Sequence, residues 1–279
     1  MPSVIQILQQ AESLLLERRV DSPRLSAQLL LANVLHLSRL DLLFAKDQIL
    51  SSAQVQSFNC LLDRRLTGEP VAYLLGTKEF FGLSFSVDSR VLIPRPETEE
   101  MIEHLQKLFA TDTSFSFADL GTGSGALAVT IASLFPRSRG LAIDISLEAL
   151  DVARTNALQH NAASRLLFVN ADFLAPFKSE TLDLIVTNPP YVTEDEYAAL
   201  SHEVAGFEPR LALVSGPKGL ECLQSIERCA RMVLKPGGRF FAEIGYLQGP
   251  DARELFCSWS ACTVLRDLSG KERIVSAVK

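Results

Sequence analysis

The chain is poor in the residues that build metal centres and disulfide frameworks. Its 279 residues include five cysteines (Cys60, Cys222, Cys229, Cys257 and Cys262) and four histidines. No two cysteines are spaced C-x-x-C and the histidines stand singly, so no metal-ligand spacing arises. The odd, unpaired count points to buried thiols in a reducing compartment rather than a disulfide scaffold. Positive charge is also short: 27 lysines and arginines stand against 33 aspartates and glutamates, a net charge of -6. A protein gripping duplex DNA through sequence-independent phosphate contacts would carry a basic surface, so that class is disfavoured. No apolar run approaches the roughly 20 residues that span a bilayer. The opening MPSVIQILQQAESLLLERR lacks the basic-then-apolar order of a secretory signal. The expectation is a soluble cytoplasmic protein. With 47% hydrophobic and 22% charged residues and no low-complexity tract, the chain has the means to bury a core.

What is present begins with helix signals. Ser3-x-x-Gln6 is a capping-box pattern ahead of Ile5, Leu8, Leu15 and Leu16. Ser22-Pro23 sets proline at the first position of a second helix, with Leu25, Leu29, Leu30 and Leu37 at helical spacing. Ser51-x-x-Gln54 opens a third helix that Gly68 closes. Residues 77–82 and 83–87 read as a β-hairpin and 91–93 as a further extended piece. Residues 94–100 start a helix running to Phe109, with acidic side chains in its first turn. Beyond Phe115, strands are expected at 116–120, 139–144, 165–169, 182–187, 238–244, 261–266 and 272–278. Helices are expected at 124–135, 146–160, 219–234 and 248–257. Such alternation builds a mainly parallel sheet covered on both faces. Only residues 267–271 join the last two strands, too few for a crossover, so those two are antiparallel. The expected organisation is a helical domain over 1–70, a β-hairpin linker over 71–93 and an α/β domain over 94–279.

Two features at strand ends point to a nucleoside-containing cofactor. Asp119-Leu120-Gly121-Thr122-Gly123-Ser124-Gly125-Ala126 follows the first strand of the sheet and opens a helix. Glycines there let the backbone turn tightly and let a ligand approach without interference from a Cβ. Asp144 ends the second strand, where a carboxylate accepts from both hydroxyls of a ribose. These residues do not choose between NAD and S-adenosylmethionine. After the third strand, Asp172 is placed to accept from an adenine amino group and Phe173 to pack on the ring; by themselves they equally suit a turn.

Asn188-Pro189-Pro190-Tyr191 ends the fourth strand and separates the options. A planar –NH₂ group is a poor nucleophile because its lone pair is delocalised. Two acceptors on its N–H bonds, the side-chain oxygen of Asn188 and the carbonyl of Pro189, would orient that lone pair along an S–CH₃ axis. The prolines restrict the backbone of Asn188 and Pro189, and Tyr191 offers a ring to stack on the planar group. Such positioning is worth roughly 7–11 kcal/mol in favourable cases. The chemistry indicated is methyl transfer to an amide or amino nitrogen.

With these segments in view, the chain resembles the PrmC/HemK family of release factor glutamine methyltransferases. The resemblance rests on EFFG at 79–82, LIPRPETE at 92–99, DLGTGSGALA at 119–128, NPPY at 188–191, FEPRLAL at 207–213, PGG at 236–238 and EIGYLQ at 243–248. It covers nearly the whole chain, the N-terminal part in layout more than in motif. It implies a class I S-adenosylmethionine methyltransferase fold: Rossmann-like, with a seven-stranded, mostly parallel sheet, an antiparallel C-terminal strand and a small helical N-terminal domain that recognises substrate. It implies N5-methylation of the glutamine in the Gly-Gly-Gln loop of peptide chain release factors. Gly121, Thr122, Gly123, Ser124 and Gly125 would surround the methionine part of the cofactor, Asp144 its ribose, and Asp172 and Phe173 its adenine. Asn188, Pro189, Pro190 and Tyr191 would grip the glutamine amide, with Arg95 or Glu97 shaping the entrance. Glu243 reads equally as a structural hydrogen-bonding group and as a site residue. The alternative reading is an adenine-N6 methyltransferase acting on nucleic acid, which the acidic balance disfavours. A nicotinamide-dependent oxidoreductase leaves the Asn-Pro-Pro-Tyr segment without a purpose. A non-catalytic binder leaves the glycines, Asp144 and that segment unexplained together.

Overall fold

Both N-terminal capping boxes close in the computed structural model, which describes residues 1–173 and 178–279. The Ser3 and Ser51 amides donate to Gln6 Oε1 and Gln54 Oε1, each at 2.9 Å. The chain forms two compact units, Met1–Thr77 with Ser201–Phe207, and Lys78–Leu200 with Glu208–Lys279. The first unit opens with α1 (Val4–Glu17), α2 (Pro23–Leu35), α3 (Asp41–Phe44), α4 (Ser52–Leu66) and α5 (Val71–Leu75). Their shared core is Val4, Ile7, Ala11 and Leu15 of α1 against Leu30 and Leu31 of α2 and Phe58 and Leu62 of α4. The buried stripe of α1 thus differs from the expected one: Ile5 and Leu16 are exposed. Small Ala11 on the 4–7–11–15 face lets a neighbouring helix come close, which leucine count alone does not reveal.

The second unit follows with β1 (Thr77–Phe80), β2 (Leu83–Ser86), α6 (Pro96–Leu108), β3 (Ser116–Leu120), α7 (Ala126–Leu134), β4 (Arg139–Asp144), α8 (Leu147–Gln159), β5 (Leu166–Asn170), β6 (Leu182–Thr187) and α9 (Glu194–Ala198). The short α10 (His202–Phe207) belongs to the first unit. There Glu203 accepts from the buried Arg65 at 2.8 Å, and the Glu69 carbonyl takes another guanidinium hydrogen at 2.9 Å. The second unit ends with α11 (Glu221–Val233), β7 (Leu234–Glu243), α12 (Gly249–Leu255), β8 (Ala261–Arg266) and β9 (Glu272–Val278).

Seven strands make one sheet in the order β5-β4-β3-β6-β7-β9-β8. Only β9 runs antiparallel, paired with β7 on one side and β8 on the other. Alternation along each strand sorts side chains to the two faces. Phe117, Leu184, Val186 and Phe241 join α6, α7 and the hairpin residues Phe80 and Phe85. Ala118, Leu120, Ile185 and Phe240 join α11 and α12. Strand order matters most at β3 and β6, which pair Leu120 with Thr187. The glycine turn after β3 and the Asn-Pro-Pro-Tyr turn after β6 therefore leave the same sheet edge side by side. Crevices of this kind, beyond the carboxyl ends of parallel strands, are where open α/β sheets bind ligands.

Three expectations are corrected. Residues 91–93 join no strand, because the Ile93 amide donates to the Glu208 carboxylate at 3.1 Å instead of to a ladder. β7 begins at Leu234 and runs through the PGG segment with a register shift against β6, whereas the sequence pattern starts this strand at 238 and carries the preceding helix to 234. All five cysteines are free, but Cys60 and Cys257 are exposed and the other three are half-buried. Among the described residues, no helix is long and apolar enough to cross a membrane.

Candidate active site

The glycine turn owes its shape to backbone that side chains resist. Gly121, Gly123 and Gly125 all have positive φ, between 54° and 81°. A Cβ on Gly121 would meet nothing within 4 Å, so the space beside its backbone is open to a ligand; one on Gly125 would press on Ala153 at 3.2 Å. The first glycine admits a guest and the third admits α8. Fully buried Asn156 of α8 braces the turn from behind. Its Nδ2 donates to the Ser124 carbonyl (2.8 Å) and to the Ser86 carbonyl (3.0 Å), while its Oδ1 accepts from the Ser86 amide (2.7 Å).

Two carboxylates stand at this turn. Asp144 Oδ2 accepts from the Gly123 amide and Oδ1 from the Ser146 amide, both at 2.9 Å. Burial nonetheless raises its pKa. Asp119 is buried beneath the loop, where Oδ2 takes the Thr122 hydroxyl (2.7 Å) and the Ala128 amide (3.0 Å). Burial lifts its pKa to about 7. At the end of β5, the Asn170 side chain donates to the carbonyls of Asp144 and Ile145 (3.1 and 2.8 Å), tying the two acidic turns together. Phe173 has a left-handed φ of 51°, an uncommon conformation for a bulky residue, at the edge of the same cavity.

The Asn188 side chain is anchored by one end. Its Nδ2 donates to Thr98 Oγ1 at 3.1 Å. Thr98, buried in the first turn of α6, donates in turn to Glu243 Oε2, and the Tyr191 hydroxyl donates to Glu243 Oε1 at 3.2 Å. Glu243 is 2% exposed at the end of β7, and burial raises its pKa. Burial, with Glu243 beside it, also raises that of the Tyr191 phenol. Four residues from α6, β7 and the β6 turn thus form one hydrogen-bonded polar cluster, and satisfied networks of this kind fix a unique arrangement.

A cavity of about 820 Å³ opens over this edge of the sheet. Gly121, Thr122, Gly123, Ser124, Asp144, Asp172, Phe173, Asn188 and Pro190 of the sequence-derived set line it, with Arg95 and Thr98; Gly125, Pro189 and Tyr191 do not. Tyr191 is committed through its hydroxyl to Glu243, a bracing position rather than a stacking one. Glu97 is exposed on α6. Volume, open glycine backbone and a half-buried carboxylate suit a nucleoside-sized ligand.

Comparison with known proteins identifies the relatives. A family model described as PrmC N-terminal domain matches residues 6–76, and one described as methyltransferase small domain matches 96–205. A release factor glutamine methyltransferase of Nitratidesulfovibrio vulgaris is 44% identical, covering 97% of this chain and 93% of that protein. One of Chlorobaculum tepidum is 40% identical over 99% of this chain and 97% of its own. The chain belongs to the release factor glutamine methyltransferase family. Among solved structures, a T. thermophilus 16S rRNA N2 G1207 methyltransferase in complex with AdoMet and guanosine is 19% identical, with a TM-score of 0.52 over 73% of this chain and 49% of that one. That likeness shows a shared methyltransferase fold.

The wider segments that carry the family resemblance brace one another. Glu208 of FEPRLAL takes Arg95 of LIPRPETE at 2.6 Å as well as the Ile93 amide. Gln248 of EIGYLQ donates to the Tyr191 carbonyl (3.1 Å) and the Gly219 carbonyl (3.0 Å) while accepting from the Gly245 amide (2.8 Å). Arg95 is therefore held in an ion pair at the cavity wall. Residue-by-residue reading missed Thr98, Asp119 and Asn156. Thr98 and Asp119 lie inside quoted segments but resemble helix-start and turn residues, and Asn156 gives no local signal.

Proposed function

We propose that the chain transfers a methyl group from S-adenosylmethionine to the side-chain nitrogen, N5, of the glutamine in the Gly-Gly-Gln loop of peptide chain release factors. Family membership over nearly the whole chain supports the substrate class. The observation that carries the chemistry is the Asn188 amide. With Nδ2 engaged by Thr98, no donor among the described residues takes its Oδ1, which is left as the acceptor at a cavity shared with the glycine turn.

The cofactor, when bound, supplies an electrophilic methyl sulfonium. Gly121 and Gly123 present open backbone to it, Asp144 accepts from the ribose hydroxyls, and Asp172 and Phe173 flank the adenine. Asn188 Oδ1 and the Pro189 carbonyl accept the two hydrogens of the glutamine amide and turn its lone pair toward the methyl group, a positioning contribution. Pro190 and Tyr191 hold that turn still, Tyr191 through Glu243. An N-methylated amide cation is acidic enough for water to take its proton, so orientation is the principal task of these side chains. The helical N-terminal unit serves as the reader of the release factor.

The deciding experiment offers labelled S-adenosylmethionine with a release factor, its Gly-Gly-Gln→Gly-Gly-Asn variant, and adenine-containing DNA in parallel. Label on the intact release factor alone is expected. Label on the DNA, or none on any acceptor despite cofactor binding, overturns the reading.

A further inference from the structure

An acceptor role for Asn188 requires that its amide present oxygen, not nitrogen, to the cavity. The two ends of a carboxamide have nearly the same shape, so packing alone discriminates weakly between them. Hydrogen-bond direction discriminates strongly, and here it can be followed outward from the amide. Asn188 Nδ2 donates to Thr98 Oγ1. A threonine hydroxyl has one hydrogen, and that of Thr98 is given to Glu243 Oε2. The other carboxylate oxygen, Oε1, accepts from the Tyr191 hydroxyl at 3.2 Å. Glu243 thus receives a hydroxyl hydrogen at each oxygen and donates to neither. With its hydrogen committed, Thr98 faces Asn188 only as an acceptor, and only the NH₂ end of the amide can satisfy it.

We infer that Glu243, acting through Thr98, is the positioning residue that keeps the Asn188 amide with its oxygen toward the cavity. Tyr191 completes the arrangement by occupying the second carboxylate oxygen. Were the hydroxyl of Thr98 to point the other way, Oδ1 would turn to meet it and the amide would present hydrogens to the hydrogens of the substrate. The fold isolates this relay from water: Thr98 is 4% exposed and Glu243 2%. Its members come from the start of α6, the turn after β6 and the end of β7, so no single segment encodes it. The inference rests on the reading of Asn188 as the acceptor for a substrate amide.

The test uses the full chain, with a release factor as methyl acceptor and cofactor Kd measured on every sample. Thr98→Val removes the relay while keeping the side-chain shape, and is expected to lower kcat about 10²-fold, the scale of a misplaced reacting group. Thr98→Ser keeps the hydroxyl and should stay within about threefold of wild type. Glu243→Gln can present either a donor or an acceptor to Thr98, and should lower kcat about tenfold. Added on top of Thr98→Val, it should cost clearly less than it does alone, because its route through Thr98 is already cut and only its contact with Tyr191 is left to lose. Cofactor Kd and the KM for the release factor should hold throughout. The inference is overturned by Thr98→Val near wild-type turnover, by Thr98→Ser as impaired as Thr98→Val, by losses that add, or by a Kd that rises in step with the loss of kcat. Wild-type protein that binds cofactor but methylates no release factor overturns the functional reading and this inference with it.

Discussion

At the scale of single residues, those proposed to hold the cofactor are distinct from those proposed to orient the acceptor. Asn188→Ala removes the acceptor oxygen without touching the glycine turn. Turnover should fall about 10²–10³-fold, while cofactor Kd, read by calorimetry, stays within about threefold. Asp144→Asn should do the reverse and weaken cofactor binding about 10–100-fold, the worth of hydrogen bonds to a charged group. Asp119 makes a prediction in pH. An unfolded aspartate has a pKa near 3.9, whereas burial raises this one to about 7. Between those values the folded protein holds a proton that the unfolded chain has released, so this group makes stability fall as pH rises from about 4 to about 7. Asparagine mimics the protonated acid, and both existing bonds converge on one oxygen. Asp119→Asn should therefore melt with wild type near pH 4.5 and several degrees above it at pH 8. An unchanged difference across that range would show that Asp119 does not titrate there.

At the scale of elements, the Asn-Pro-Pro-Tyr turn is held by its neighbours as much as by its prolines. Gly219 has a φ of 70°, and a Cβ there would lie 2.4 Å from the Tyr191 carbonyl and 2.9 Å from Gln248 Nε2. Gly237 in β7 has a similar φ of 75° with nothing within 4 Å. The two positions separate conformational strain from collision. Gly237→Ala should cost about 1 kcal/mol for the left-handed backbone alone, with activity intact. Gly219→Ala should cost about 3 kcal/mol or more and lower kcat as well, because relief of the clash moves the Asn-Pro-Pro-Tyr turn. Urea melts paired with turnover measurements distinguish the two; equal stability losses would place the Gly219 effect in the backbone only.

At the scale of the whole molecule, we propose that the two compact units divide the labour. The first contains, besides residues 1–77, the segment Ser201–Phe207. Deleting the N-terminal residues would strip that segment of its packing, so a surface substitution is the cleaner probe. Leu40, Leu43, Phe44 and Ile49 are all more than half exposed, Phe44 at 83%. Large apolar side chains left exposed within ten residues of chain are candidates for a contact site. Phe44→Asp should raise the KM for a release factor about tenfold or more and leave kcat and cofactor Kd alone. A change in cofactor Kd instead would argue against the division.

The amino-acid order by itself determined most strands and helices of the α/β unit, because hydrophobic period, caps and glycine turns are local signals that agree with one another; the early start of β7 and the short α9 escaped it. It also determined that the last strand runs antiparallel, since a five-residue connection allows nothing else. The glycine turn, Asp144 and the Asn-Pro-Pro-Tyr turn were legible for the same reason: each is a short segment whose residue types answer to one chemical demand. The tertiary structure alone decided which face of α1 is buried, because that depends on how closely Ala11 lets another helix approach. It alone decided that the Ile93 amide bonds to Glu208, 115 positions away, rather than to a strand. It alone brought Thr98 and Glu243, 145 positions apart, to the Asn188 amide. Hydrogen-bond direction belongs to groups in contact, and contact between distant segments exists only once the sheet has formed.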